Sequence, residues 1–220
     1  MLKKYDFEAA FDYENGFYLT ASVSRFSKLV SHLDLFRLSM TVPGEIVECG
    51  VFKGASLMRW IKFRELLSNS SAKKIIGFDT FGKFPKALSK SDELLRKDFV
   101  GKAGDKSISK DQIITIIKKL NLYQNIDLIN GDVNKTIPNY LENNPELKIS
   151  LLHIDVDLYD PTKICLNLLC DRVASGGIII LDDYGAFPGA TKAIDEYFEK
   201  NAGIIKKLPI SDQISFVQKQ

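Results

Sequence analysis

Cysteine and histidine are scarce in this chain of 220 residues, which has three cysteines and two histidines. Cys49, Cys165 and Cys170 form no C-x-x-C pair, so we expect buried thiols in a reducing, cytoplasmic compartment and neither a zinc site nor a disulfide framework. His32 and His153 are too few for a histidine-rich metal centre, and we interpret His153 as a strand residue. The absence of a G-x-S-x-G sequence gives no support to a serine hydrolase.

Long apolar runs and an excess of one charge are also absent. No run approaches the roughly 20 apolar residues that cross a bilayer, and the first residues lack the apolar stretch of a secretory signal peptide. The 30 basic and 28 acidic residues give a net charge of +2, and we find no dense basic patch with interleaved aromatic residues. We therefore expect neither a membrane nor a nucleic acid as partner.

Two kinds of apolar pattern alternate along the chain, in which 45% of the residues are hydrophobic. Short β-branched runs predict buried parallel strands at Glu45–Cys49, Lys74–Phe78, Ile126–Asn130, Ile149–Asp155 and Gly177–Leu181. Helical periodicity and capping signals predict helices at Ser22–Ser39, Ala55–Leu67, Ile113–Leu120 and Pro188–Lys200, and one from the N-cap Asp160 to Ser175. This alternation predicts an α/β fold, a Rossmann-like doubly wound sheet that is mostly parallel.

The two ends of the chain and one long loop complete the predicted organisation. Ile204–Leu208 and Gln213–Val217 predict an antiparallel hairpin that closes the sheet. Residues 1–42 are expected to form an N-terminal helical cap, and residues 43–220 the main domain. Thr80–Ile108, directly after the second strand, is rich in Gly, Lys, Ser and Pro. A loop of this length is either an active-site lid or a solvated insertion with one small helix.

A glycine-containing turn, VECGVFKGAS, spans the end of the first predicted strand and the start of the next helix. Gly50 and Gly54 allow a tight turn and the close approach of a ligand to the N-terminus of that helix. The spacing differs from G-x-G-x-x-G, and Glu48 suits an amino-bearing ligand better than a dinucleotide phosphate. Asp79, at the end of the second strand, is placed to hydrogen-bond a ribose. Together these residues favour S-adenosylmethionine, although a simple tight turn would also explain the glycines.

Four aspartates lie at the ends of the fourth and fifth predicted strands. Asp155 and Asp157 are two residues apart, so in a strand they would project from one face, about 6–7 Å apart. Asp182 and Asp183 follow the next strand. Such like charges repel one another unless a cation lies between them, and a set of oxygen ligands favours Mg²⁺ over zinc. The alternative, solvated acids and helix caps, explains Asp160 better than it explains the other four.

Five stretches of the chain carry a resemblance to a known family: VECGVFKGAS, GFDTFGKFP, GDVNKTIP, LLHIDVDLYDPT and GGIIILDDYGAFPGATKAIDEYF. They resemble the macrocin O-methyltransferases, which are Mg²⁺- and S-adenosylmethionine-dependent enzymes that methylate sugar hydroxyls. The resemblance runs from about Pro43 to Phe198, and its specific part is the D-x-D-L-Y and D-D-Y-G pair. It implies the class I methyltransferase fold and assembly into homo-oligomers.

The resemblance also implies roles for individual residues. Asp155, Asp182 and Asp183 would be the metal ligands, and Asp157 would be the general base. The residues implied as holding the cofactor are Glu48, Gly50, Gly54, Ser56, Asp79, Thr80, Gly131 and Asp132. The family often has glycine between the paired aspartates, whereas this chain has Val156. Valine there keeps the carboxylate spacing and could narrow the substrate pocket.

The implied reaction is methyl transfer to a sugar hydroxyl of a glycan, a nucleotide sugar or a glycosylated metabolite, with a vicinal diol chelating the metal. One alternative is a catechol-type O-methyltransferase that acts on an aromatic diol. Another is a nicotinamide-dependent oxidoreductase, which the missing G-x-G-x-x-G disfavours. A third is a non-catalytic module that binds a cofactor or a glycan, and the intact set of four aspartates argues against it.

Overall fold

The centre of the computed structural model is a seven-stranded sheet. The structure describes residues 5–83, 90–211 and 213–220. The strands are β1 (Glu45–Cys49), β2 (Ile75–Asp79), β3 (Ile126–Asn130), β4 (Ile149–Ile154), β5 (Val173–Leu181), β6 (Lys206–Lys207) and β7 (Ser215–Gln218). The helices are α1 (Ala10–Thr20), α2 (Val23–Ser39), α3 (Ala55–Leu67), α4 (Lys90–Ala103), α5 (Lys110–Lys119), α6 (Val133–Asn143), α7 (Tyr159–Leu169) and α8 (Pro188–Phe198).

The order of the strands across the sheet is β3-β2-β1-β4-β5-β7-β6. Strands β1 to β5 pair in parallel, whereas β7 runs antiparallel to both β5 and β6. Parallel neighbours need crossover connections, which the intervening helices supply. The prediction of a doubly wound, mostly parallel sheet with an antiparallel C-terminal hairpin is confirmed. The hairpin is shorter than predicted, because β6 consists only of Lys206 and Lys207.

Helices cover both faces of the sheet, and each face has its own apolar core. On one face, α2, α3 and α5 pack with strand residues such as Ile46 and Leu151. On the other face, α6, α7 and α8 pack with Val47 and Leu152. Neighbouring residues of a strand point to opposite faces, so a strand that is covered on both sides must be apolar at nearly every position. This requirement explains why continuous apolar runs identified the strands.

Side-chain caps are present at the starts of two helices. Ser22 accepts a hydrogen bond from the amide of Arg25 at the start of α2. Ser109 and Gln112 make both hydrogen bonds of a capping box at the start of α5. Each side chain satisfies a backbone amide that the first turn of a helix leaves without a partner. The predicted bounds of α3 are those of the structure.

The helix predicted to begin after Asp160 starts earlier than expected. Its first residue is Tyr159, and the N-cap position is taken by Leu158, whose side chain makes no capping bond. The prediction that Asp160 is the N-cap is therefore wrong. Asp160 lies inside the first turn, where its negative charge still interacts favourably with the positive end of the helix dipole.

The same helix also ends earlier than predicted. It stops at Leu169 and is followed by a short 3-10 helix at Cys170–Arg172. Val173, which the prediction placed inside the helix, begins β5 and pairs with Ile149 of β4. The pairing of β-branched residues in the sheet outweighs the glycines that the prediction used to place the helix end.

Two helices, α1 and α6, were absent from the prediction, and α4 is a helix that only one of the two interpretations of Thr80–Ile108 included. α6 begins at the N-cap Asp132 but contains Pro138, which argues against a helix on sequence grounds. α1 contains no buried residue, so it lacks a clear apolar stripe. α4 lies within the stretch Thr80–Ile108, of which residues 84–89 lie outside the described part. The side chain of Asp92 in α4 accepts a hydrogen bond from the Gly189 amide at the start of α8, at 2.9 Å.

The carboxyl ends of the parallel strands meet at one edge of the sheet. Gly50, Gly131, Asp155 and Asp182 each directly follow a strand, and Asp79 is the last residue of β2. Ligands of open α/β sheets bind at this edge, so the topology brings most of the predicted site residues together. No helix in the described ranges is both long enough and apolar enough to span a bilayer.

Candidate active site

Gly50 allows two loops of the site edge to touch. It has a φ of +94°, and a Cβ atom at this position would overlap the carbonyl oxygen of Asp155. The amide of Asp155 donates a hydrogen bond of 2.9 Å to the carbonyl of Cys49. Only glycine combines this backbone conformation with such a close approach. The glycine therefore meets a structural need that exists with or without a bound ligand.

Asp79 fixes the loops on both sides of its strand end. Its Oδ2 accepts hydrogen bonds from the amides of Val51 and Phe52 at 3.0 and 2.9 Å, and its Oδ1 accepts one from the amide of Phe81 at 2.6 Å. Phe52 and Phe81 have φ values of +48° and +45°, which are strained for bulky residues. The sequence predicts a ribose contact for Asp79, and the structure adds a second role, the anchoring of two strained turns.

Gly54 and Ser56 lie where α3 begins. Gly54 has a φ of +83°, and a Cβ there would press against the Ile113 side chain at 2.6 Å. Ser56 is 8% exposed in the first turn of α3. Both residues therefore belong to the turn that leads from β1 into the helix N-terminus, as the sequence predicts.

Thr80, Gly131 and Asp132 follow β2 and β3. The hydroxyl of Thr80 donates to the carbonyl of Lys83 at 3.3 Å, and the amide of Gly131 donates to the carbonyl of Asp79 at 2.9 Å. The exposed carboxylate of Asp132 accepts a hydrogen bond from the amide of Asn134 at 3.0 Å and caps α6. The structure thus gives Asp132 a capping role, and its contact with the cofactor remains a prediction.

The four aspartates do meet, but not as residues of a strand. β4 ends at Ile154, one residue earlier than predicted, and Asp157 has a φ of +59°. The expectation that Asp155 and Asp157 project from one strand face is wrong, because the chain turns after the strand. Carboxylate oxygens of Asp155, Asp157 and Asp183 nevertheless lie within 4.8 Å of one another. The amide of Asp157 donates to Oδ2 of Asp183 at 2.8 Å.

Asp182 faces partners that come from other elements. Its Oδ2 lies 2.6 Å from Nζ of Lys28. Its Oδ1 lies 3.4 Å from Nε2 of His153 and 3.9 Å from Nε2 of His32. Asp182 is therefore grouped with two imidazoles and an ammonium group, whereas the other three carboxylates form a cluster of their own.

Lys28 is a site residue that the sequence analysis missed. Its ammonium pairs with Asp182 and lies 3.9 Å from Oδ2 of Asp155. It stands 154 residues before Asp182 in the chain, so the sequence around the aspartates does not reveal it. One available signal was its position four residues before His32 on α2, because residues at this spacing lie on the same face of a helix.

Glu48 and His153 are neighbours across β1 and β4, and both are fully buried. Oε1 of Glu48 lies 3.0 Å from Nδ1 of His153. Oε2 of Glu48 has no hydrogen-bond partner among the described residues. A buried carboxylate oxygen without a donor is costly. Glu48 thus has one oxygen bound by the protein and a second that lacks a donor.

The three clustered carboxylates carry more negative charge than their surroundings compensate. Burial, followed by repulsion from Asp182, raises the pKa of Asp155 to about 8. Burial and repulsion from Asp155 raise the pKa of Asp157 to about 8, and burial and repulsion from Asp157 raise the pKa of Asp183 well above its usual value. Crowded carboxyl groups of this kind are characteristic of sites that hold a cation.

The groups around Asp182 show the opposite electrostatic pattern. Burial alone would raise its pKa, but Lys28 and the hydrogen bond from His153 hold it well below the usual value. Burial lowers the pKa of His153, whereas its hydrogen bonds to Asp182 and Glu48 raise it. The net effect is an increase of this pKa to about 10. For His32 burial dominates and lowers the pKa to about 3. His153 therefore shares positive charge with two carboxylates, whereas His32 is neutral.

The strand order and the site at the carboxyl edge define the fold of the class I methyltransferases. Among solved structures, the chain is similar to CalS11, a calicheamicin methyltransferase, with a TM-score of 0.77 and 26% sequence identity over 99% of this chain and 87% of that one. The sequence pattern of the macrocin-O-methyltransferase (TylF) family matches residues 22–218. The chain belongs to this family, as the resemblance of its motifs predicts.

Two curated relatives are similar over most of this chain. The demethyldecarbamoylnovobiocin O-methyltransferase of Streptomyces niveus is 27% identical over 168 residues, which are 72% of this chain and 60% of the relative. The 8-demethyl-8-(2,3-dimethoxy-alpha-L-rhamnosyl)-tetracenomycin-C 4'-O-methyltransferase of Streptomyces olivaceus is 26% identical over 160 residues, 71% of this chain and 58% of the relative. The matched part thus spans less than two thirds of the length of these relatives.

The anchoring role of Asp79 predicts a large loss of stability in Asp79→Ala. The substitution leaves three amides without an acceptor, and we expect the free energy of unfolding to fall by about 3 kcal/mol. Urea denaturation measures this loss. The matched control is Asp132→Ala, which removes one exposed cap and should cost about 1 kcal/mol. Equal losses in the two variants would contradict the anchoring role.

Proposed function

We propose that this chain is an S-adenosylmethionine-dependent O-methyltransferase that uses a divalent cation and acts on a sugar hydroxyl. The observation that carries the proposal is the position of the Lys28 ammonium. It pairs with Asp182 and lies near Asp155. Burial lowers the pKa of this ammonium, but the charges of Asp155, Asp182 and Asp183 outweigh that effect and raise it. A positive charge is therefore already stabilised by the three carboxylates that the family resemblance implies as metal ligands.

The carboxylates fit a hard divalent cation. Asp155, Asp182 and Asp183 would hold it, because oxygen ligands from Asp are those that Mg²⁺ prefers. The raised pKa values of Asp155 and Asp183 support this assignment, since a nearby cation would remove the repulsion that raises them. Lys28 alone does not provide enough positive charge for all of these groups.

The glycine turn and Glu48 fit the cofactor. The unpartnered Oε2 of Glu48 is an acceptor for a donor such as the ammonium of the cofactor's amino-acid part. Gly50, Gly54 and Ser56 bring backbone close to the same edge, and Asp79 would face the ribose. Thr80, Gly131 and Asp132 belong to the adjoining loops and complete the proposed cofactor site.

The proposed chemistry divides between the ligands and the protein. When bound, S-adenosylmethionine supplies the methyl group, and a divalent cation acts as a Lewis acid that makes a nearby hydroxyl easier to deprotonate. Asp157, with its carboxylate among the other acids, would accept the hydroxyl proton as the general base. The protein's main contribution is to hold acceptor and donor in one orientation, with a vicinal diol of the acceptor at the cation.

The acceptor class is proposed from the relatives. The names of the two curated relatives give demethyldecarbamoylnovobiocin and a rhamnosyl-bearing tetracenomycin as their substrates. We propose a sugar hydroxyl of a glycosylated small molecule for this chain. The three cysteines are buried and unpaired, which supports the proposed reducing, cytoplasmic setting.

Residues 1–42 are proposed to act as a cap over the domain of residues 43–220. The support is that Lys28 and His32, both on α2, reach the aspartates at the sheet edge. The stretch Thr80–Ile108 is proposed as a second cover, since α4 contacts the start of α8 beside the same edge. The homo-oligomer implied by the family resemblance stays a prediction.

Methyl transfer from radiolabelled S-adenosylmethionine to a panel of glycosides and catechols tests the proposed function. We expect label on glycosides with vicinal hydroxyls in the presence of Mg²⁺ and none in the presence of EDTA. Transfer only to catechols would show that the acceptor is an aromatic diol and not a sugar. Full activity in EDTA would contradict the role of the cation, and the absence of transfer to either class would contradict the proposed function.

Two variants separate the base from the metal ligands in that assay. Asp157→Asn should lower the rate by about 10²-fold or more, because the proton acceptor is lost, while Mn²⁺ binding measured by calorimetry is retained. Asp182→Asn should abolish turnover and weaken Mn²⁺ binding but leave the affinity for S-adenosylhomocysteine nearly unchanged. An unchanged rate in Asp157→Asn would remove this residue as the base.

Lys28 should compete with the cation for Asp182 and Asp155. Two like charges about 4 Å apart repel by about 1 kcal/mol even in water, so we expect Lys28→Gln to bind Mn²⁺ about tenfold more tightly than the unmodified chain. Isothermal titration with MnCl₂ measures the change. Lys192→Gln, which removes an exposed lysine that pairs only with Glu196 in the described ion pairs, is the control. Weaker binding in Lys28→Gln would show that the lysine gathers the ligands instead of competing with the cation.

A further inference from the structure

Three buried side chains form a row across three neighbouring strands. Glu48 lies in β1, His153 in β4, and Asp182 directly follows β5. Nδ1 of His153 lies 3.0 Å from Oε1 of Glu48, and Nε2 of the same ring lies 3.4 Å from Oδ1 of Asp182. Glu48 and His153 are fully buried, and Asp182 is 8% exposed. One imidazole thus joins a carboxylate of the proposed cofactor site to one of the proposed metal site.

Aromatic side chains prevent this ring from turning away. The His153 ring meets the rings of Trp60 and His32 edge to face, with centroids 5.5 and 5.1 Å apart. His32 in turn stacks on Trp60 at 4.5 Å. Close packing on two sides leaves a buried side chain in one rotamer. The two nitrogens of His153 are therefore directed at the two carboxylates by packing as well as by hydrogen bonds.

The row uses only one oxygen of each carboxylate. Oε2 of Glu48 has no partner among the described residues, and Oδ2 of Asp182 faces the ammonium of Lys28. A carboxylate held through one oxygen has its orientation fixed while the other oxygen remains an acceptor. His153 thus leaves one oxygen of each carboxylate for a positively charged partner.

We propose that His153 is a positioning residue that orients Glu48 towards the cofactor through Nδ1 and Asp182 towards the cation through Nε2. The assignment rests on the proposed function and adds to it a residue that contacts neither ligand. Removing a hydrogen bond made to a residue that ligates a metal, such as a carboxylate, typically changes the metal affinity by about 10–100-fold. His153 makes one such bond, to Asp182, and a corresponding bond to the carboxylate of Glu48 in the proposed cofactor site.

Two substitutions separate the two bonds. The amide nitrogen of asparagine lies near the place of Nδ1, whereas the longer glutamine places its amide near Nε2. His153→Asn should therefore keep the bond to Glu48 and lose the bond to Asp182. His153→Gln should keep the bond to Asp182 and lose the bond to Glu48. A role of His153 in packing alone would make the two variants alike.

Calorimetric titrations with S-adenosylhomocysteine and with MnCl₂ measure the two affinities separately. We expect His153→Asn to bind S-adenosylhomocysteine within about threefold of the unmodified chain and Mn²⁺ at least about tenfold more weakly. We expect the reverse for His153→Gln. Equal losses of both affinities in the two folded variants would overturn the assignment. If the unmodified chain binds neither ligand, the proposed function itself fails.

Nuclear magnetic resonance of the unmodified chain provides a second test, in which a variant serves only to assign the signals. The chain has only two histidines, so ¹⁵N-histidine labelling gives few ring signals, and His32→Gln identifies those of His153. S-adenosylhomocysteine should shift mainly the Nδ1 resonance of His153, and Mg²⁺ mainly its Nε2 resonance. If neither ligand shifts the resonance of His153 while both bind, the ring does not position the two carboxylates.

Discussion

The organisation of this edge of the sheet depends on the balance of negative charge. Four aspartates follow two adjacent strands, and three of them bring their oxygens within 4.8 Å of one another. Such a group is unfavourable without positive charge nearby. The fold supplies some of that positive charge through the Lys28 ammonium and the His153 ring, which both contact Asp182. The proposed cation would supply the rest, which is why we connect the electrostatics of the edge with its chemistry.

This charge balance also ties the N-terminal helix to the sheet. α2 contributes apolar residues such as Leu35 and Phe36 to one core, and on the same helix Lys28 and His32 reach the polar edge. The helix is therefore both a packed element of the fold and a part of the candidate site. A change in its position would alter the surroundings of Asp182 directly, because the contact between Lys28 and Asp182 is a single ion pair of 2.6 Å.

The sequence predicts the sheet and the place of the site, because both follow from local patterns. Continuous apolar runs identify buried strands, and residues that end parallel strands must share an edge. Contacts between distant residues leave no such pattern. Neither the pairing of Lys28 with Asp182 nor the bonds from Asp79 to the amides of Val51 and Phe52 can be derived from spacing. The capping role given to Asp160 failed because the helix begins two residues earlier than the cap signal indicates.

The glycine turn and the aspartates at one edge of the sheet are proposed to form a methyltransferase site. Calorimetric titration of the purified chain with S-adenosylhomocysteine, the product form of the cofactor, tests this proposal most directly. We expect binding at a dissociation constant in the micromolar range, which corresponds to about 8 kcal/mol of binding free energy. No binding by a chain that circular dichroism shows to be folded would contradict the cofactor assignment, and the aspartates would then require a different explanation.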